Sequence, residues 1–139
     1  MKKLFAAVAC AALCASAFAA GEAVPAAVGA DPYAQNIVRL SRISVDPAQL
    51  DAYKQYVAEV GRESMKNEPG VRVLYSMQEQ KRPTEFTILE IYASPEAYQH
   101  HIKTAHFQKY KQGTKDMVKA LELVDCNPLV PEALIKPAK

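Results

Sequence analysis

Three histidines, His100, His101 and His106, are the residues best suited to proton chemistry, and all of them fall in one short segment. An imidazole has an ordinary pKa of about 6.5, so near neutral pH it can take a proton from a substrate hydroxyl and later return it. Metal ligation is a weaker use of the group. Adjacent histidines on a helix point apart, and no cysteine or carboxylate beside them completes a recognised ligand spacing. The structural alternative is that they bond the backbone or line a subunit seam. The one cysteine outside the first 19 residues, Cys126, has no partner for an internal disulfide and reads as a small buried hydrophobe rather than a nucleophile.

Elements must position these side chains, and the first segment is not one of them. Lys2 and Lys3 precede an apolar run from Leu4 to about Leu13, followed by Ala17-Phe18-Ala19. That is the layout of a secretory signal peptide over residues 1–19, cut after Ala19 or, nearly as well, after Ala17. The run is too short to span a bilayer, which needs about 20 residues, and no second apolar segment follows, so no membrane anchor is expected after cleavage. Cys10 and Cys14 lie in this leader without a convincing lipobox. A periplasmic or secreted location is expected. Of the 17 basic residues two are in the leader, and the rest balance the 15 acidic ones. No basic field remains to draw nucleic acid or anionic lipid.

Residues 20–35, rich in Ala, Gly and Pro, read as a flexible linker, 36–127 as one domain, and 128–139 as a C-terminal tail with Pro128, Pro131 and Pro137. Within the domain, alternation predicts a first strand over Asn36 to Val45. Asp46-Pro47-Ala48-Gln49 is a helix start, with Asp46 as cap, Pro47 in first position and Gln49 as capping-box partner. Leu50, Tyr53, Val57 and Val60 recur at helical spacing until Glu68-Pro69-Gly70 ends the helix. Val71 to Gln80 and Glu85 to Ala93 predict a hairpin. Ser94-Pro95 and Thr104 are two further helix starts, so the segment to about Met117 is a candidate broken helix pair, and Lys119 to Asn127 returns to a strand. The order βαββαβ predicts a ferredoxin-like α+β fold, with helices on one face of a four-stranded antiparallel sheet.

Both alternating sets of the third strand, Phe86/Ile88/Glu90/Tyr92 and Thr87/Leu89/Ile91/Ala93, contain large apolar residues. A sheet apolar on both faces is covered on both. Helices are available for one, so a second copy is expected on the other, giving a homodimer.

Three blocks carry a family resemblance: Glu68-Pro69-Gly70, Phe86 through Tyr92 (FTILEIY), and Ala97 through Phe107 (AYQHHIKTAHF). In this order they resemble the antibiotic biosynthesis monooxygenase domain, over about Asn36 to Val124. The resemblance implies a dimeric α+β barrel and, as in quinol monooxygenases, oxidation of electron-rich aromatics by O2 with no metal or flavin cofactor. It places His101 and His106 near the pocket, with His100 an additional neighbour, and so makes those two the catalytic candidates. Glu68-Pro69-Gly70 is read as structural, with Pro69 stopping the helix and Gly70 allowing the turn.

A cofactor-free oxygenation requires the substrate to supply electrons, and a phenol or quinol does so far more readily as its anion, so a base is needed and histidine is suited to the role. Tyr75, Glu90 and Tyr92 are candidates to hydrogen-bond the substrate's hydroxyl or ketone, with core packing, or pairing of Glu90 with Arg39 or Arg42, as their structural alternatives. Asn36 is either an oxygen-polarising amide or a strand-end cap. The chain has no tryptophan, unlike some aromatic-oxidising members and the haem-degrading branch of the superfamily. The alternative function is a noncatalytic dimeric domain that binds a small hydrophobic or aromatic ligand.

Overall fold

Alternation of β-branched and polar residues makes Ile37–Val45 the first strand, β1, in a computed structural model that describes residues 31–132. The expected leader and the linker up to residue 30 lie outside the described residues, as do positions 133–139 of the tail. Residues 31–35, assigned to the linker, form a turn fastened to the domain. Arg72 Nη2 donates to the Pro32 carbonyl at 3.1 Å, and its guanidinium lies over the Tyr33 ring.

Asp46 caps the helix start as expected, accepting from Ala48 N at 2.9 Å, and Pro47–Gln49 forms a 3-10 turn. The capping box is not completed. Gln49 reaches instead to the Asp116 carbonyl at 3.4 Å. Helix α1 runs Leu50–Asn67 and buries Tyr53, Val57, Val60 and Ser64, spaced at three and four residues so that they share one face. Pro69 lacks an N–H and α1 ends before it. Strands β2 (Val71–Gln78) and β3 (Glu85–Tyr92) follow, then helices α2 (Pro95–His101) and α3 (Ala105–Gly113), then β4 (Val118–Cys126).

The four strands form an antiparallel sheet in the order β2-β3-β1-β4, which is the ferredoxin-like arrangement predicted from the element order. Register decides which side chains share a face. Ile43 is opposite Phe86 and Leu121, and Ser41 opposite Ile88 and Leu123. This face carries the core, where Ile43, Val45, Phe86 and Ile88 pack against Tyr53 and Val57 of α1. Tyr53 meets Phe86 edge-on, with ring centroids 4.9 Å apart. The other face carries Val38, Leu40, Leu89, Ile91 and Val124, together with Tyr75 at 59% exposure and Met77 at 40%.

Gly70 serves close packing. A Cβ there would lie 2.6 Å from Ala97 Cβ, so a side chain would push α2 off the turn that follows α1.

Candidate active site

The helices do not reach across the whole sheet. α1 and α2 lie over β2 and β3, and the helix-side residues of β4, Leu121 and Leu123, remain about half exposed. Between them and the helices lies a cavity of about 510 Å³, within the range of about 300–1,000 Å³ usual for small-molecule sites. Its sheet side is Ile43, Ile88, Leu121 and Leu123, and its helical side includes Tyr98, Ile102, Phe107 and Tyr110. Apolar and aromatic surface of this kind takes up a ring system by excluding water.

Among the polar side chains built into this wall are Ser41, Glu90, Tyr92 and His101, all of them buried. Ser41 Oγ donates to Glu90 Oε1 at 2.5 Å, and Tyr92 OH donates to Glu90 Oε2 at 2.8 Å, so each carboxylate oxygen has one donor. Burial, reinforced by the neighbouring Glu90, pushes the Tyr92 hydroxyl well above its ordinary value and keeps it a donor. The pairing of Glu90 with Arg39 or Arg42 that the sequence allowed does not form. Arg39 bonds Asp125 at 2.7 Å and lies over the Tyr98 ring at 4.9 Å, while Arg42 bonds Glu122 at 3.2 Å. Edge strand β4 supplies both of those acids, directly opposite the arginines in register.

His101 is the last residue of α2 and His106 lies in the first turn of α3. On one continuous helix residues five apart would point about 140° away from each other. The break between the two helices removes that separation. Thr104 makes the break, because its Oγ1 accepts from Phe107 N at 3.3 Å, capping α3, and also donates to the His101 carbonyl at 2.8 Å.

Both imidazoles converge on Glu68. Its Oε1 is 3.0 Å from His101 Nδ1 and 2.5 Å from His106 Nε2. The Glu68 and His101 side chains are 3% and 2% exposed, whereas His106 is 17% exposed and so touches solvent. Burial pushes the Glu68 carboxyl up, but the bonds from His106 and His101 outweigh it and hold the group below its ordinary value. An ionised carboxylate only accepts, so both ring nitrogens that face it are N–H donors. In its neutral form His101 therefore carries its proton on Nδ1, and Nε2 is the nitrogen with the free lone pair. Ser64 Oγ also favours the charged carboxylate, although at hydrogen-bonding geometry both it and Glu68 Oε2 are buried without a partner.

The structure thus brings together His101, Glu90 and Tyr92 in the cavity wall, with His106 joined to them through Glu68. Tyr75 is elsewhere. It lies opposite Leu89 on the face away from the helices, and the substrate contact expected of it is not available within this chain's cavity. Asn36 sits just before β1, its Oδ1 buried without a hydrogen-bond partner, and does not line the cavity. His100 is exposed on α2 and takes no part. Glu68 and Ser41 were not among the candidates. The signal for Glu68 was present in Glu68-Pro69-Gly70, but the helix stop and the tight turn accounted for that block without any role for the carboxylate.

Residues 36–113 match the family profile described as antibiotic biosynthesis monooxygenase. The chain belongs to this family. A solved antibiotic biosynthesis monooxygenase-family structure from Bacteroides thetaiotaomicron is 54% identical over 73% of this chain and 97% of its own, with a TM-score of 0.72. A structure from Lactobacillus acidophilus, described as a monooxygenase, is 31% identical over 64% of this chain and 42% of its own, with a TM-score of 0.63. A family structure from Nitrosomonas europaea, at 23% identity and a TM-score of 0.65 over 70% of this chain and 93% of its own, shares the fold. No curated protein gives a significant match. In this antibiotic biosynthesis monooxygenase domain the cavity, the Glu90 cluster and the Glu68-centred histidine pair all lie on the helix side of the sheet.

Proposed function

We propose that this family member oxidises small quinols or related phenols with O2, with His101 as the base and the substrate as the source of electrons. The observation that carries the proposal is His101 itself. It is buried, it forms part of an apolar cavity wall, and its Nδ1 is held by Glu68 so that Nε2 is the nitrogen left to accept a proton.

In this reading the ring of the substrate packs among Tyr98, Phe107 and Tyr110, and its hydroxyl gives a proton to His101 Nε2. Glu68 then faces an imidazolium instead of a neutral ring and stabilises it by charge. The substrate anion passes one electron to O2, and the two radicals combine at a ring carbon to form a hydroperoxide. Loss of water from that adduct breaks the O–O bond, leaving one oxygen atom in the quinone product and the other in water, with His101 returning its proton to the departing oxygen. Glu90, whose oxygens keep free lone pairs beside the Ser41 and Tyr92 donors, presents an acceptor to a second hydroxyl on the ring. The apolar wall displaces water from the bound ring and fixes the orientation of the anion.

The second copy belongs to the same proposal. The sheet face with Tyr75, Met77, Leu40 and Leu89 is apolar, and a symmetric pair would bury it by stacking two sheets, about 10 Å apart. Export to the periplasm remains part of the proposal, because an apoprotein that draws electrons from its substrate needs no cytoplasmic cofactor.

The test is O2 uptake by the purified, metal-stripped protein over a panel of hydroquinones and naphthoquinols, corrected for autoxidation, with His101→Ala and His106→Ala beside it. Uptake that survives metal stripping and falls in His101→Ala supports the oxygenase. No uptake above background for any substrate, with saturable binding of the same aromatics, would replace it with a noncatalytic binding domain.

A further inference from the structure

We propose that Glu68, His101 and His106 form a binding site for one divalent first-row transition ion, Zn2+ being the simplest case, and that the bound ion switches off the oxidation proposed above. The site is assembled only in three dimensions. One carboxylate oxygen and one nitrogen from each imidazole lie within 4.8 Å of one another, and among the described residues this is the group of ligand-type side chains that converges in that way. Two imidazoles and one carboxylate are a donor set that favours Zn2+ and its neighbours over Mg2+ or Ca2+, which prefer oxygen alone.

Bond lengths of about 2.0–2.2 Å to nitrogen and oxygen require ligand atoms about 3.4 Å apart around a tetrahedral ion. The observed separations of 3.0 Å and 2.5 Å from Oε1 are shorter than this, so the carboxylate must swing outward to admit the ion while the two ring nitrogens, within 4.8 Å of each other, close on it. A second, independent observation points the same way. Glu68 Oε2 is a buried carboxylate oxygen with no hydrogen-bond partner, and the buried hydroxyl of Ser64, one helical turn earlier, has none either. Unpaired buried acceptors are rare because they forfeit the bonds that water would give them. A cation between the three side chains gives the unpaired oxygen of the Glu68 carboxylate a positive charge to face. His106, the member that reaches solvent, provides the way in and the side on which a water can complete the coordination.

The effect on the reaction follows from the imidazole tautomer. An ion bound to His101 takes the Nδ1 lone pair, so the remaining ring proton moves to Nε2. The ring then cannot accept the substrate's proton. No change of fold is required, since the ion occupies the place of the two N–H···O contacts to Glu68. This inhibitory step rests on the oxygenase reading, whereas the binding step does not.

The experiment separates the two. Metal-stripped protein is titrated with Zn2+ in a calorimeter and with Co2+ in a spectrophotometer, alongside Glu68→Gln, His106→Ala and, as a control, His100→Ala. The expected result is one equivalent bound by the wild type and by His100→Ala, a tetrahedral Co2+ absorption band, and affinity lower by tenfold or more in Glu68→Gln and His106→Ala. Absence of binding, or equal binding in all four proteins, would overturn the site. Quinol oxidation is then followed with and without one equivalent of Zn2+. Loss of O2 uptake that a chelator restores supports the switch, and full uptake with the ion bound overturns it. If no quinol is oxidised under any condition, the oxygenase reading fails while the binding result stands.

Discussion

Glu68 and His101 are 33 positions apart in the chain, yet their side chains meet at 3.0 Å with neither more than 3% exposed. The carboxylate sits at the C-terminal end of α1 and the imidazole at the C-terminal end of α2, so the two helix ends must be held together for the pair to exist. Gly70 and Ala97, which touch where the turn after α1 meets α2, hold them.

Replacing Glu68 by Gln keeps the shape and removes the charge that faces the imidazolium. O2 uptake with the best quinol is expected to fall by about 10- to 100-fold, with the circular dichroism spectrum unchanged. Glu68→Ala instead leaves two imidazole N–H groups without their acceptor. Each such loss costs about 1–3 kcal/mol, and urea unfolding should show the difference between the two variants.

Gly70→Ala is expected to destabilise the domain by about 1–3 kcal/mol, the usual cost of overpacking, and to lower activity as well because α2 carries His101. The compensating change Ala97→Gly removes the Cβ that would be struck. Restoration of both melting temperature and O2 uptake in the double variant would identify the contact as the cause, and a double variant no better than Gly70→Ala would exclude it.

Three tyrosines make the protein sensitive to alkali. Burial pushes the hydroxyls of Tyr53, Tyr92 and Tyr110 upward, and Tyr53 and Tyr110 also bond each other at 3.0 Å. A group whose pKa is raised by folding contributes its full stability below its unfolded value, near 10, and loses it as pH rises beyond that, by about 1.4 kcal/mol per pH unit for each fully buried tyrosine. The melting temperature should therefore be flat to about pH 9.5 and drop steeply above it. Tyr53→Phe should make that drop shallower.

Tyr75→Lys and Met77→Lys place charge on the sheet face turned away from the helices. Light scattering is expected to give a dimer for the wild type and a monomer for the double variant. A monomeric wild type with full activity would remove the second copy from the proposal.

Much of this molecule is decided by short-range rules that a sequence displays. Strand alternation, the Asp46 and Ser94 caps, the stop at Pro69 and the break at Thr104 each act over a few residues, and the element order, the sheet and the family blocks follow from them. The histidines were also legible, because few side chains hold a proton near neutral pH. What the tertiary structure alone decided is the partner of each buried polar group. In the sequence Glu68 reads as part of a turn, Glu90 and Tyr75 read as candidate substrate contacts, and pairing with Arg39 or Arg42 is the structural alternative for Glu90. In the folded chain Glu68 joins two histidines from different helices, Glu90 is held by Ser41 and Tyr92, and Tyr75 faces the other side of the sheet. The physical reason is that a backbone preference is satisfied locally, whereas a buried charge or hydroxyl takes whichever donor or acceptor the packing of distant elements brings within about 3 Å.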